Sequence, residues 1–357
     1  MAKIEINYNN IAKNIAEIKK NCKNIIAVVK NNAYNLDLKE CVEVFYKNGI
    51  NYFASTNISE CVKIRKILGN DVKILLLNPT YDFATVREHN IEVNIAGYDY
   101  LVENISELKG LTLHLEFAGS MRRAGVKTLD EVLSCIDFCQ KNNLQLIGFW
   151  SHFAFADEFD GNYEKEKELV RNIYREVAKH HEFEVVHLQN SASFLRDGQF
   201  VETTHIRQGI NLYGANPYDT EKYGIKFNDF KLYHPINLYA KIVNIVELEK
   251  GECIGYSNSF VAEKKIKVGI VDVGYGDGVL RPRLKNNSVM VNGSERKVLS
   301  TMMSHIVVEI KNNDKIGDKV EIYNEKLQIH HYTKYCGTNS EQLAALNYNS
   351  LEVEKIF

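Results

Sequence analysis

The chain has 357 residues, with 44 Lys and Arg against 46 Asp and Glu and a formal net charge of −2. A balance this close to neutral argues against a protein that binds nucleic acid or an anionic membrane through bulk charge. Hydrophobic residues at 45% and charged residues at 25% fit an ordinary globular protein, and the length allows about two domains.

No apolar run approaches the roughly 18 residues of a membrane helix. The opening MAKIEINYNN lacks the apolar core of a signal peptide. Seven cysteines (Cys22, Cys41, Cys61, Cys135, Cys139, Cys253 and Cys336) are scattered, odd in number and form no CxxC pair. That pattern argues against a disulfide framework or a zinc site and for a reducing cytoplasm. Two histidine pairs, His180-His181 and His330-His331, have neighbours pointing apart, so solvated or structural roles are expected and no metal is.

In chain order, KIEINY opens with strand alternation. Residues 1–8 are expected to pair with a later β domain and not with the segments that follow directly. Eight short apolar runs come next: IIAVVK, NYFAST, VKILLLN, IEVNIA, LTLHLEF, LQLIGFWSHF, FEVVHLQN and THIRQGINLYG. Between many of them lie charged stretches of 3.6-residue period, such as SECVKIRKIL and LDEVLSCIDFCQKN. Eight strand–helix units predict a (β/α)8 barrel over residues 9–230. An open doubly wound sheet is the competing arrangement, weakened by the lack of GxGxxG after the first strand. Beyond a boundary near 225–235, β-branched runs and closely spaced glycines without a long helix predict an all-β domain over residues 231–357.

Barrel active sites lie at the C-terminal ends of the strands. Polar residues at those ends are Lys30 on the first run, His152 on the sixth, Asn190 and Ser191 on the seventh and Arg207 on the eighth. The loops after strands 7 and 8, which often hold phosphate in barrels, contain Ser191 and Gly209. A lysine amine at one side and a phosphate site at the other fit pyridoxal phosphate held covalently by Lys30. At this stage a buried Lys30 paired with a barrel carboxylate is an equal alternative.

Six segments in order then resemble motifs of the alanine racemase family, the fold-type III pyridoxal phosphate enzymes: AVVKNNAY, MRRAG, SHFAFAD, HLQNSAS, IRQGINLYG and GYGDGVLR. The segment EINYNNIAKNIAEIKK resembles the family's N-terminal region, so the resemblance spans nearly the whole chain. It implies a barrel followed by a β domain, and a head-to-tail homodimer whose active sites are completed by the partner's β domain. The substrate implied is a small amino acid, with L- and D-alanine interconverted to supply D-alanine for peptidoglycan.

The roles implied are these. Lys30 carries the cofactor and is one base; Tyr256, in CIGYSNSF, is the other and comes from the partner subunit. Arg207 faces the pyridine nitrogen and His152 lies against the ring. Tyr34, Ser191, Gly209 and Ile210, beside Asn190, contact the phosphate, with Tyr348 as a further candidate there. Arg123 lies near the substrate carboxylate, Tyr275 on the substrate path, and Met303 near the substrate.

Departures from the family pattern are specific. Where the family continues Gly-His-Gly after the lysine motif, this chain has Asn35-Leu36-Asp37. Ala118 replaces an aspartate, and Glu116 stands seven residues before Arg123, where some members carry a carbamylated lysine. Ser304, after Met303, occupies the place of an aspartate, with Glu309 on a later one. A hydroxyl there opens a second possibility, racemisation of serine or a broader set of amino acids. A non-catalytic pyridoxal phosphate-binding protein and a decarboxylase of the same fold type are the remaining readings.

Overall fold

A computed structural model of the chain describes residues 1–218, 230–285 and 287–357. The predicted boundary region 225–235 therefore lies partly outside the described residues. Two compact units emerge. Strand β1 (Lys3–Asn7) belongs with the second of them.

The first unit, residues 12–213 and 230–232 as described, contains eight strands. These are β2 (Ile25–Val28), β3 (Tyr52–Ser55), β4 (Lys73–Leu76), β5 (Glu92–Ile95), β6 (Thr112–Phe117), β7 (Gln145–Ser151), β8 (Val185–His187) and β9 (Ile206–Gln208). All pair in parallel in the order β8-β7-β6-β5-β4-β3-β2-β9. The two ends of the sheet approach each other through Thr204 N donating to Val186 O at 2.9 Å and Arg207 N to Gln189 O at 3.2 Å. The (β/α)8 barrel expected from the eight apolar runs is what forms. Continuous burial along β2, β3 and β5 is the signature of strands covered on both faces.

The connecting helices carry local stop and start signals. Asp37 accepts from Lys39 N at the start of helix Leu38–Lys47. Thr128 and Glu131 form a capping box at helix Leu129–Lys141. Inside the barrel, Ile26, Val28, Ala54, Leu75, Ile147 and Val185 pack in one apolar cluster. Interleaved with it are polar side chains that a purely aliphatic barrel core would not carry: Tyr52, Glu92, Asn94, His114, Glu116, His187 and Arg207, all buried.

The second unit comprises residues 1–11, 214–218 and the described part of 233–357. Its strands after β1 are β10 (Ile236–Leu248), β11 (Cys253–Ile254), β12 (Phe260–Val261), β13 (Ile266–Val271), β14 (Ser288–Val291), β15 (Ser294–Thr301), β16 (Ile306–Glu309), β17 (Lys319–Tyr323) and β18 (Glu352–Ile356). The sheet runs β13-β16-β15-β14-β17-β10-β1-β18, and β10, long enough to serve two neighbourhoods, also pairs with β13. Strand β1 pairs antiparallel with β10 and parallel with β18. Strands β11 and β12 form a separate hairpin. Leu248, Ala262, Val268 and Val307 make an apolar core here. Among the described residues no helix is long and apolar enough to cross a membrane.

Candidate active site

The C-terminal end of the barrel gathers most of the expected residues. Lys30 follows β2 directly and begins a turn that few side chains adopt. Asn31, Asn32, Ala33 and Tyr34 all have φ near +54°, with Asn35 at +68° and Asp37 at +71°. Left-handed backbone costs L-residues roughly 1–2 kcal/mol each, so the surroundings must hold it. Ala33 N donates to Val29 O at 3.0 Å. Asn32 N donates to the buried Glu60 carboxylate at 2.7 Å, and Leu38 N to Asn32 Oδ1 at 3.0 Å. Ser55 Oγ donates to the other oxygen of Glu60.

This turn brings Tyr34 back against the loop after β9. Its ring lies 4.7 Å from that of Tyr213, which donates its own hydroxyl to Val28 O at 3.0 Å. A Cβ on Gly209 would stand 2.5 Å from Tyr34 Oη, so only glycine permits the approach. Gly209 N donates to Ser191 Oγ at 2.9 Å. Ser191 opens the short helix Ser191–Asp197, whose cap Asn190 accepts from Ser193 N at 3.0 Å and donates through Nδ2 to Phe153 O at 3.1 Å. Ile210 starts the turn closed by Tyr213 N donating to Ile210 O at 3.1 Å. Tyr34, Ser191 and Gly209 thus converge in a small polar cradle. Burial pushes the Tyr34 hydroxyl up to about 12, so it stays a neutral donor.

Arg207, in β9, is buried and donates to the carbonyls of Ser151 and His187. Its guanidinium lies 4.9 Å over the Trp150 ring, and His152 Nδ1 is 3.4 Å from its Nη2. Burial pulls Arg207 down to about 9, which leaves it cationic at neutral pH. Desolvation and then the charges of Arg207, Arg123 and Lys30 hold His152 well below the usual imidazole range, so it is neutral. Burial, reinforced by the charge of Arg123, lowers the Lys30 amine as well.

Arg123 extends from the loop after β6, with its guanidinium 3.9 Å from Glu116 Oε1. Glu116 is buried, and its Oε2 accepts from Asn94 Nδ2 at 3.1 Å. Asn94 Oδ1 in turn accepts from Trp150 Nε1 at 3.0 Å. Burial raises the Glu116 carboxyl, while Arg123, Asn94 and Arg207 oppose the shift.

The remaining expected residues lie in the β unit. Tyr256 follows the β11 strand and is 55% exposed. Gly255 beside it is pressed against Ser300, where a Cβ would meet Oγ at 2.0 Å. Tyr275 and Met303 are brought together by the backbone: Tyr275 N donates to Met302 O at 3.2 Å and Gly276 N to Met303 O at 2.8 Å. Tyr348 adjoins the same segment, since Asn347 Nδ2 donates to Gly276 O at 3.0 Å. Tyr256 lines a cavity of about 690 Å³ with Arg281, Lys285 and Tyr335, and neither Tyr275 nor Met303 borders it. Among the described residues no group of His, Cys, Asp and Glu is arranged to hold a metal ion.

Residue reasoning passed over Glu60, which holds the turn after Lys30, and the polar interior of the barrel. The available signal was a polar residue inside three of the apolar runs: Glu92 in IEVNIA, His114 in LTLHLEF, His187 in FEVVHLQN.

Comparison with known proteins agrees with this geometry. The sequence matches the family model "Alanine racemase, N-terminal domain" over residues 6–217 and "Alanine racemase, C-terminal domain" over 236–351. It is 38% identical over 346 residues to alanine racemase 2 of Staphylococcus aureus (strain COL), covering 94% of each chain. It is 31% identical over 308 residues to the alanine racemase of Staphylococcus epidermidis (strain ATCC 12228), covering 84% of this chain and 78% of that one. The crystal structure of alanine racemase from E. faecalis shares the fold, with a TM-score of 0.86 at 24% identity over 99% of this chain and 98% of that one. The biosynthetic alanine racemase of Pseudomonas aeruginosa does so with a TM-score of 0.87 at 22% identity, over 100% and 99%. This chain belongs to the alanine racemase family.

Proposed function

We propose that the chain is a pyridoxal phosphate-dependent racemase that interconverts L- and D-alanine, works as a homodimer with shared active sites, and supplies D-alanine for peptidoglycan. The observation that carries this reading is that Lys30, directly after β2, and the Tyr34–Ser191–Gly209 cradle lie at the same end of the barrel. The cradle fits the cofactor: a hydroxyl kept neutral, a serine and a glycine that admits close backbone approach are suited to a phosphate. Tyr34, Ser191, Gly209, Ile210 and Asn190 would hold the phosphate, with Tyr348 as a further contact, and Lys30 would carry the cofactor. When bound, pyridoxal phosphate withdraws electron density from the substrate Cα and so acidifies its proton.

The chain's own groups do the rest. Arg207, cationic and unable to accept a hydrogen bond, would face the pyridine nitrogen and keep it unprotonated, because a second positive charge there is unfavourable. Neutral His152 would lie against the ring. Arg123, steered by Glu116, would receive the substrate carboxylate. Lys30 would take or return the Cα proton on one face. Tyr256 of the partner subunit would do so on the other, since inversion needs a base on each side. Tyr275 would line the substrate path and Met303 would lie near the substrate.

Ser304 favours one second reading. It follows Met303, whose carbonyl accepts from Gly276 N. It puts a hydroxyl where the family pattern has a carboxylate, which suits serine or a broader range of amino acids. Incubating the purified protein and pyridoxal phosphate with single L-amino acids, followed by chiral quantification, tests both. Dominant D-alanine supports the first reading and dominant D-serine the second. Amine release, or no turnover with cofactor bound, overturns both.

A further inference from the structure

Five buried side chains form a hydrogen-bonded line through the barrel from its N-terminal mouth to its C-terminal face. Tyr52 and Glu92 are the first residues of β3 and β5; His114 is the third residue of β6, His187 the last of β8, and Arg207 the middle residue of β9. Tyr52 Oη donates to Glu92 Oε2. His114 Nε2 is 2.8 Å from that oxygen and 3.2 Å from Tyr52 Oη. His114 Nδ1 is 3.1 Å from His187 Nε2, and His187 Nδ1 is 3.1 Å from Arg207 Nη1. Room for the line is made on purpose: a Cβ on Gly148 of β7 would stand 1.8 Å from His114 Nδ1. Trp150 stacks on His187 at 5.7 Å and 7°.

Donor rules leave one assignment. A guanidinium only donates, so His187 Nδ1 must accept and its proton sits on Nε2. That proton is donated to His114 Nδ1, which places the second proton on His114 Nε2, donated to Glu92. Both rings are therefore neutral. The guanidinium keeps its protons, so the line carries none through; it orients, and it sets a carboxylate at one end against a cation at the other. Burial raises the Glu92 carboxyl, and the bonds from His114 and Tyr52 oppose that shift.

We propose that Glu92, bridged by Tyr52, is a positioning residue: it accepts the last proton of a relay whose tautomers Arg207 sets, and so holds the His114 and His187 rings in place and, through them, the orientation of Arg207. Its catalytic consequence rests on the reading that Arg207 faces the cofactor ring. Partners that orient metal-ligating histidines change activity by roughly ten- to a hundredfold when lost, and a loss on that scale is expected here.

The test uses holoenzyme with ¹⁵N-labelled histidine rings, assigned through His114→Gln and His187→Gln. In the wild type both rings carry the proton on Nε2. Glu92→Leu removes the carboxylate that the His114 Nε2 proton bonds to, so the His114 ring signals shift while both protons stay on Nε2, and kcat falls roughly ten- to a hundredfold with little change in KM. Glu92→Gln keeps an acceptor oxygen, leaves the His114 ring signals near their wild-type positions with the proton of each ring on Nε2, and restores most of kcat. A proton on His187 Nδ1 in the wild type overturns the proposal, as does unchanged kcat in Glu92→Leu. Should Glu92→Leu fail to fold, Glu92→Gln decides: retained Nε2 protons support the relay and altered ones overturn it. Arg207→Lys separates the underlying reading. An altered visible absorption of the bound cofactor supports it. An unchanged spectrum overturns that reading, and the catalytic consequence with it, whatever the tautomers.

Discussion

Gly209 lies so close beneath Tyr34 that a Cβ would stand 2.5 Å from the tyrosine's Oη. The contact joins the first and last barrel strands at the cradle. Gly209→Ala should push Tyr34 aside and weaken pyridoxal phosphate binding by about tenfold or more, the scale of one lost hydrogen bond to a charged group. Titration of apoenzyme with the phosphorylated cofactor and with pyridoxal checks this. Pyridoxal, lacking the phosphate, should bind variant and wild type alike.

Glu116 and Arg123 make a second testable pair. Arg123 is largely exposed, so the contact adds little to stability. Its value lies in aiming a guanidinium, because Glu116 is itself fixed through Asn94 and Trp150. Glu116→Gln should lower kcat/KM by about tenfold or more, within the range for lost positioning partners, leave thermal stability nearly unchanged, and show no response to bicarbonate. Wild-type activity in that variant would remove Glu116 from the account.

The lowered Lys30 amine predicts a pH dependence for cofactor capture by apoenzyme. The neutral amine attacks the aldehyde, so the capture rate should rise with pH and level off below the 10.5 of an unperturbed lysine. Removing a neighbouring positive charge makes protonation easier. Arg123→Ala should therefore move the inflection to higher pH. Stopped-flow absorbance across the pH range measures both.

The proposed sharing of sites between subunits predicts complementation. Lys30→Ala and Tyr256→Phe should each lose nearly all racemisation. When the two are mixed and allowed to exchange subunits, hybrid dimers contain one site with both bases intact, and activity should return. No recovery under conditions where hybrids form would contradict a base supplied in trans.

Much of this was legible in the sequence, and the rest shows why some was not. Eight apolar runs separated by helical periodicity announced the barrel, because strands covered on both faces must be apolar throughout. Strand ends are readable for the same reason, and Lys30, Arg207 and Ser191 stood out there. The segment Asn35-Leu36-Asp37 looked like a break from the family's Gly-His-Gly. The backbone explains it: Asn35 and Asp37 sit at φ +68° and +71°, where Asn and Asp are the side chains best able to replace glycine. Leu36 between them is buried. Asn35 and Asp37 thus suit the left-handed turn that this chain makes there. What the residues did not announce was the Tyr52–Glu92–His114–His187 line. A polar residue inside an apolar run reads as an exception one strand at a time. Only the barrel's register lines these exceptions up and satisfies them with one another.

The most direct test of the two-base account is α-proton exchange in deuterated water by Tyr256→Phe holoenzyme, followed by NMR from L-alanine and from D-alanine separately. With one base removed and Lys30 intact, exchange should persist for one enantiomer with retention of configuration and be lost for the other. Equal exchange of both enantiomers, or racemisation at the wild-type rate, would contradict the assignment of Lys30 and Tyr256 to opposite faces.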